Sequence, residues 1–340
     1  MFEPDTRADE TGFDSTDESG FESTDSSEHD AGGADGEYVE KSRVVLPNKN
    51  IAKNVEAPSG QTPRKRRKTT SSINTGVKLR VVALDPYGGI CLLTGALKPR
   101  KSRQFCHIVA RRTSAEVLTM LEWWWQLAYW TLYIDTRYNI LILMANWHLA
   151  MDGHEWTFVP HHQLITNVLV WARAVIEQDP TGYNKDARTP ISESYGHQTN
   201  FLYYMLPLDE DMEEVVIHRY PAPVEGAAFD PTAIIPHLHP FTTIGPLTSH
   251  MHPHFVIFSA GQKLTDLRAN VPLHERAKFM EGLAAIASFG HTGDAAEIKL
   301  HNLDTLTALL DIYALWSSTE HVPQAKSGHQ WRKHPKAPEE

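Results

Sequence analysis

Cysteine is almost missing: Cys91 and Cys106 are the only two in 340 residues. A chain of this size with at most one possible bridge does not rest on a disulfide framework, which points to a reducing, intracellular compartment. No window approaches the run of about eighteen apolar residues that a membrane helix needs, so no span is expected. The first ten residues, MFEPDTRADE, lack the basic start and apolar run of a secretory signal, and their acidity argues against a transit peptide. Familiar catalytic signatures are missing too. No G-x-S-x-G occurs, Gly88-Gly89 lacks the spacing and the following lysine of a phosphate loop, and no CxxC is present to build a zinc finger from cysteine pairs.

What is there is unevenly distributed. With 41% apolar and 9% aromatic residues the chain has enough material for a sizeable core. Residues 1 to 40, however, hold fourteen acids and one base, Arg7, a net of −13, so the remaining 300 residues carry +3. That acidic stretch has almost no large apolar groups to offset the entropy of ordering, and disorder is expected there. The chain stays poor in apolar residues to about residue 75 and turns basic at Arg64, Lys65, Arg66, Arg67 and Lys68. Five adjacent cations stay in water. They fit a nuclear import signal read by an import receptor, with the nucleus as the favoured location; a merely solvated basic linker is the other reading.

Order is expected from Val77. VKLRVVALD reads as a strand or a short helix, Pro86 to Gly89 as a turn, and ICLLTG as a strand ending in a second turn. Residues 115 to 130 have the spacing of a buried helix, so Trp123, Trp124, Trp125 and Trp130 belong to the core rather than to a base-stacking platform. Tyr138 to Met144 reads as a buried strand or the lead-in to an element. Ala145 to Met151 reads as a short helix closed by Gly153, Trp156 to Val159 as a strand and residues 162 to 177 as a helix. Further on come strands at FLYYML and EVVIHRY, a proline- and histidine-rich stretch, and helices at about 273–288 and 294–317. The last of these presents Leu300, Leu303, Leu306, Leu310 and Tyr313 on one face. Histidines 237, 239, 250, 252 and 254 could form a second metal site, but their proline-rich setting favours an irregular packed loop.

The chemistry concentrates between residues 98 and 152. Lys98, Arg100, Lys101, Arg103, Arg111 and Arg112 form a segment without acids that would hold a polyanion beside His107, whose imidazole can act as a general base near neutrality. His148 and Asp152, four apart on the expected helix, share a face and could share one divalent ion. Asn139 precedes that helix and could orient the base or a metal-bound water. A base, a Mg²⁺-type ion and local cations are the minimal requirements for phosphodiester hydrolysis.

The order Cys91-Leu92-Leu93-Thr94-Gly95, then Cys106-His107-Ile108-Val109, then Asn139 to Leu143, then His148-Leu149-Ala150-Met151-Asp152 resembles the HNH nuclease domain, in the version common in fungal proteins. The resemblance covers roughly residues 80 to 160, and the run from His254 to Leu264 resembles the tail of the same proteins. It implies a ββα-metal module with His107 as general base, Asn139 fixing the loop and orienting His107, and His148 as a metal ligand, with Asp152 either a ligand or an orienting group. The position before the base, often an acidic or histidine metal ligand, is held by Cys106, a soft donor poorly matched to Mg²⁺.

The expected protein is therefore α+β. It has a disordered acidic and basic arm (1–76), an HNH-like ββα-metal module with a helical insertion (77–178), an α+β C-terminal extension (179–325) and a frayed tail (326–340). The expected activity is endonucleolytic hydrolysis of nucleic acid, DNA favoured, with Mg²⁺ or Mn²⁺. The alternative is a non-catalytic nucleic-acid or protein-interaction module on the same scaffold, degenerate at Cys106.

Overall fold

The computed structural model describes residues 73–97, 99–127, 132–180, 188–221, 230 and 232–318. The acidic arm, the basic run Arg64–Lys68, Lys98, the side chain of Arg100, Trp130 and the tail from residue 319 lie outside them. Within them the chain is a mixed α+β structure with three small antiparallel sheets.

Strands β1 (Arg103–His107) and β2 (Ile140–Met144) pair antiparallel, with Cys106 opposite Leu141 and His107 opposite Ile140. Successive side chains of a strand point to opposite faces. Ile140 and Ile142 accordingly pack with Val81 and Phe105, while Leu141 and Leu143 enter the main core. Val81 lies on helix α1 (Thr75–Leu84), which covers the outer face of the pair. The Asn74 carboxamide oxygen caps α1 by accepting from the Gly76 N–H at 2.7 Å, which resolves the strand-or-helix ambiguity and begins order two residues before Val77.

ICLLTG is a tight loop, not a strand. The Gly95 N–H donates to the Cys91 carbonyl at 2.8 Å and the Leu92 N–H to the Ile142 carbonyl at 2.9 Å, so one turn bond and one long-range bond stand in place of a ladder. Arg219 holds the loop from a distance, donating to the Leu92 carbonyl at 2.7 Å.

Helix α2 (Ala115–Trp124) is capped by Ser114 and stops where Gln126 takes a left-handed φ of 61°. Its tryptophans are core residues, as expected: Trp123 and Trp124 are fully buried, and Trp125 packs edge-on against Phe255 and Trp316. Helix α3 (Ala145–Asp152) leaves β2 directly, with Gly153 as its C-cap. Strands β3 (Trp156–Pro160), β4 (Phe201–Pro207) and β7 (Leu247–Ser249) form one sheet in that order, and β5 (Val216–Arg219) pairs with β6 (Ile235–Leu238).

Four helices follow, α4 (His162–Gln178), α5 (Pro253–Ala269), α6 (Arg276–Ile286) and α7 (Ala295–Ser317); α5 packs on β3, and α4, α5 and α6 all pack on α7. Helix α5 starts on Pro253, whose missing N–H costs nothing at a first helical position, and buries every residue from Pro253 to Gly261. The buried face of α7 runs through Asn302, Thr305, Leu306, Leu309, Ile312 and Trp316, whereas Leu300, expected on that face, is 60% exposed. One continuous core runs from Cys91 to Trp316, so the segments expected as 77–178 and 179–325 share it.

Candidate functional site

The end of β1 brings His107 against Asp135. The two are joined at 2.8 Å through Nε2 and Oδ1, with the histidine side chain nearly buried. Arg111 clamps the same carboxylate from the other side, Nε to Oδ1 and a terminal nitrogen to Oδ2, each at 2.7 Å. Burial alone would raise the Asp135 carboxyl, but the hydrogen bonds from His107 and Arg111 outweigh it and hold it down at about 2. An ionised Asp135 requires the His107 proton on Nε2. In the neutral ring that leaves Nδ1 with its lone pair, and Nδ1 has no protein partner among the described residues and is not sealed from solvent.

Asn139 is fully buried at the end of a 3-10 turn, Arg137–Asn139, immediately before β2. Its Nδ2 donates to the carbonyls of Val109 at 3.0 Å and Ile134 at 2.9 Å, and its Oδ1 accepts from the Val109 N–H at 2.8 Å. The Ile108 N–H donates to its backbone carbonyl at 2.9 Å. Asn139 therefore ties the chain just after His107 to the chain just before β2. The β7–α5 junction holds the same turn from outside. The His250 ring donates from Nε2 towards the carbonyls of Arg137 and Ile140, both at 3.1 Å, and the His252 N–H donates to the Tyr138 carbonyl.

On α3, His148 and Asp152 share a face, Nε2 standing 3.4 Å from Oδ2. The other ring nitrogen of His148, Nδ1, is 2.6 Å from Gln104 Oε1 on β1. A carboxamide oxygen only accepts, so Nδ1 carries the proton and Nε2 presents its lone pair beside the carboxylate. Burial lowers the His148 pKa, Asp152 opposes this and the nearby His107 adds to it, so the ring favours the neutral form. Two donors bound at about 2.0–2.1 Å to one ion stand about 3.0–3.4 Å apart, and a ring N–H held by a second group is the usual arrangement of a metal-binding histidine. The pair fits two neighbouring positions on a divalent cation. Asp152 also sits at the C-terminal end of α3, where the helix dipole disfavours an acid, so helix stability does not account for it. Among the described residues no group of three or more His, Cys, Asp or Glu side chains is set to hold a metal.

Cys106 lies in the core, fully buried, with Sγ 3.4 Å from the Gln104 carbonyl. Burial pushes its thiol pKa well up, keeping it protonated. It offers no thiolate to a cation. The histidine-rich stretch is likewise structural. His237 bonds Thr243 at 2.8 Å, and the half-buried His252 and the buried His254 each lie within 3.4 Å of the Tyr195 hydroxyl.

The six cations divide by task. Arg111 is spent on Asp135 and Arg103 bonds the Gly89 carbonyl, whereas Lys101 and Arg112 are exposed. Asp135 and Gln104 were missed by sequence reasoning. The first had a signal, because an acid-free cationic segment around a histidine calls for a counter-charge from elsewhere in the chain. Gln104 had a weaker one, its place two residues before Cys106 on the same face of the strand. Compared with family models, with curated proteins and with solved structures, the chain matches none.

Proposed function

We propose that the chain hydrolyses phosphodiester bonds of nucleic acid, DNA first, with Mg²⁺ or Mn²⁺ held by His148 and Asp152. The observation that carries this reading is the pair of adjacent lone-pair donors, His148 Nε2 and Asp152 Oδ2, near a histidine whose other nitrogen is fixed by Asp135. When bound, the cation supplies charge neutralisation on the phosphate and on the leaving oxygen. His107 Nδ1 takes the proton of the attacking water, and Asp135 holds the ring in the required tautomer and steadies the imidazolium that forms. Lys101 and Arg112 hold flanking phosphates. The order β1, β2, α3, with His107 ending the first strand and Asn139 leading into the second, supports the likeness to the ββα-metal module of HNH nucleases. Our donor set leaves Cys106 out.

The second reading is a module that binds nucleic acid without cutting it. It is favoured by the buried thiol at the position before the base and by a donor set of two. Calorimetric titration of Mn²⁺ into the full chain tests the site: one-site binding is expected for the wild type and none for His148→Ala. A titration unchanged by the substitution removes His148 and Asp152 from the mechanism.

A further inference from the structure

Behind the His148–Asp152 pair opens a cleft of about 570 Å³, within the range of about 300–1,000 Å³ usual for small-molecule sites. Asp152 forms part of its wall. Three basic side chains line it. Arg112 is exposed and makes no hydrogen bond or ion pair among the described residues, and His154 sits on a left-handed backbone, φ 68°, that brings its ring to the wall.

Lys263 of α5 is the third of them. It is only 7% exposed, and its Nζ donates to the carbonyls of Met151 at 2.6 Å and Trp156 at 3.2 Å. Two carbonyls satisfy two of its three donors and supply no counter-charge, and no carboxylate lies within ion-pair distance among the described residues. Asp152 acts on Lys263 only from beyond ion-pair distance; a buried cation so weakly compensated is costly, and an anion entering the cleft offsets that cost. The wall also carries an aromatic pair, Tyr313 and Phe258, ring centroids 5.4 Å apart, with Met120. Asp266 lines the cleft too, its charge acting on both His154 and Tyr313, and can accept from the amino or imino groups of a base.

We propose that this cleft binds one nucleotide unit of the substrate strand, its phosphate against Arg112, His154 and Lys263 and its base against Tyr313 and Phe258. The inference rests on the nuclease reading for the identity of the ligand, because Asp152 joins cleft and cation site. A phosphate alone would leave the aromatic pair unused, and an apolar ligand would leave Lys263 with only the more distant Asp152; a nucleotide satisfies both.

The test is titration of thymidine 3′,5′-bisphosphate into the full chain in EDTA, so that no metal contributes. Saturable binding is expected, with inorganic phosphate and thymidine each weaker by at least about tenfold. Arg112→Ala, Tyr313→Leu and Lys263→Met should each weaken the bisphosphate by about tenfold or more. If Lys263→Met does not fold, Arg112→Ala and Tyr313→Leu decide. Absence of binding, or equal affinity in Arg112→Ala and Tyr313→Leu, overturns the proposal. Metal-dependent plasmid nicking is scored in parallel. Nicking without bisphosphate binding sinks the cleft and keeps the nuclease, whereas binding lost in the variants, with no nicking by the wild type, keeps the cleft and sinks the nuclease.

Discussion

Asn139→Asp changes one atom's chemistry at the centre of the site and separates a clamp from a ligand. In the wild type Nδ2 gives its two protons to the carbonyls of Val109 and Ile134, while Oδ1 accepts from the Val109 N–H. A carboxylate keeps the last bond and turns the other two into contacts between negative oxygens. Two carbonyls losing their donors cost about 1–3 kcal/mol each, and burying the new charge adds to that, so a loss of about 4 kcal/mol is expected. For a folded unit of this size that lowers Tm by about 8–16 °C. The introduced carboxyl escapes by protonating, so its folded pKa lies above the unfolded value of about 3.9. Stability of the variant then falls as pH rises between those two values and stays low above the folded one. Urea unfolding of wild type and variant from pH 4 to 8 measures both effects. A variant within about 1 kcal/mol of wild type at pH 7, with no added pH slope, would refute the clamp, because such a cost is typical of an exposed position.

Asp135→Asn should cut cleavage by about tenfold to a hundredfold, the range for groups that orient a histidine from behind, with Mn²⁺ affinity unchanged. The stability that Asp135 contributes is present above the unfolded carboxylate pKa and is lost as pH falls through about 2, so acid unfolding curves of the variant should lack that component. Equal cleavage by the variant would separate Asp135 from the mechanism. Cys106→Asp places a carboxylate in the core and should destabilise the fold by about 3 kcal/mol or more without tightening Mg²⁺ binding. Normal melting combined with tighter Mg²⁺ binding would instead put that position in the donor set.

Legibility in the sequence followed the reach of the forces involved. Tyr138 to Met144 was readable as a buried strand or the lead-in to an element because of its apolar run, and the strand Ile140–Met144 has its first four residues buried; α3 was readable because Gly153 closes it. The ICLLTG loop was not, because bonds from Ile142 and Arg219 shape it across 50 and 127 positions. On α7 only Leu300 was misplaced, since Leu306 is buried and Leu303, Leu310 and Tyr313 pack against the core, but the buried polar residues of the helix went unread because leucine content outweighed hydrogen bonding. Asn302 is buried since its Nδ2 donates to the carbonyls of Ala284 and Ala287, at 3.0 and 2.8 Å. In the site, His107, Asn139, His148 and Asp152 were found through local spacing. Asp135 lies 28 residues from His107 and Gln104 lies 44 from His148, and no local pattern links them. Arg188 and Asp179, a fully buried pair at 3.6 Å with Arg188 over the Trp123 ring, were hidden for the same reason.

The most direct measurement is supercoiled-plasmid nicking by the full chain with Mn²⁺, with EDTA, and with His107→Ala at matched folding and matched DNA binding. The account predicts nicked product that requires the metal, vanishes with chelator and falls by at least about a hundredfold in His107→Ala, as expected when a general base is removed. Retention of DNA by the wild type with no new termini in Mn²⁺, or equal nicking by His107→Ala, would contradict it.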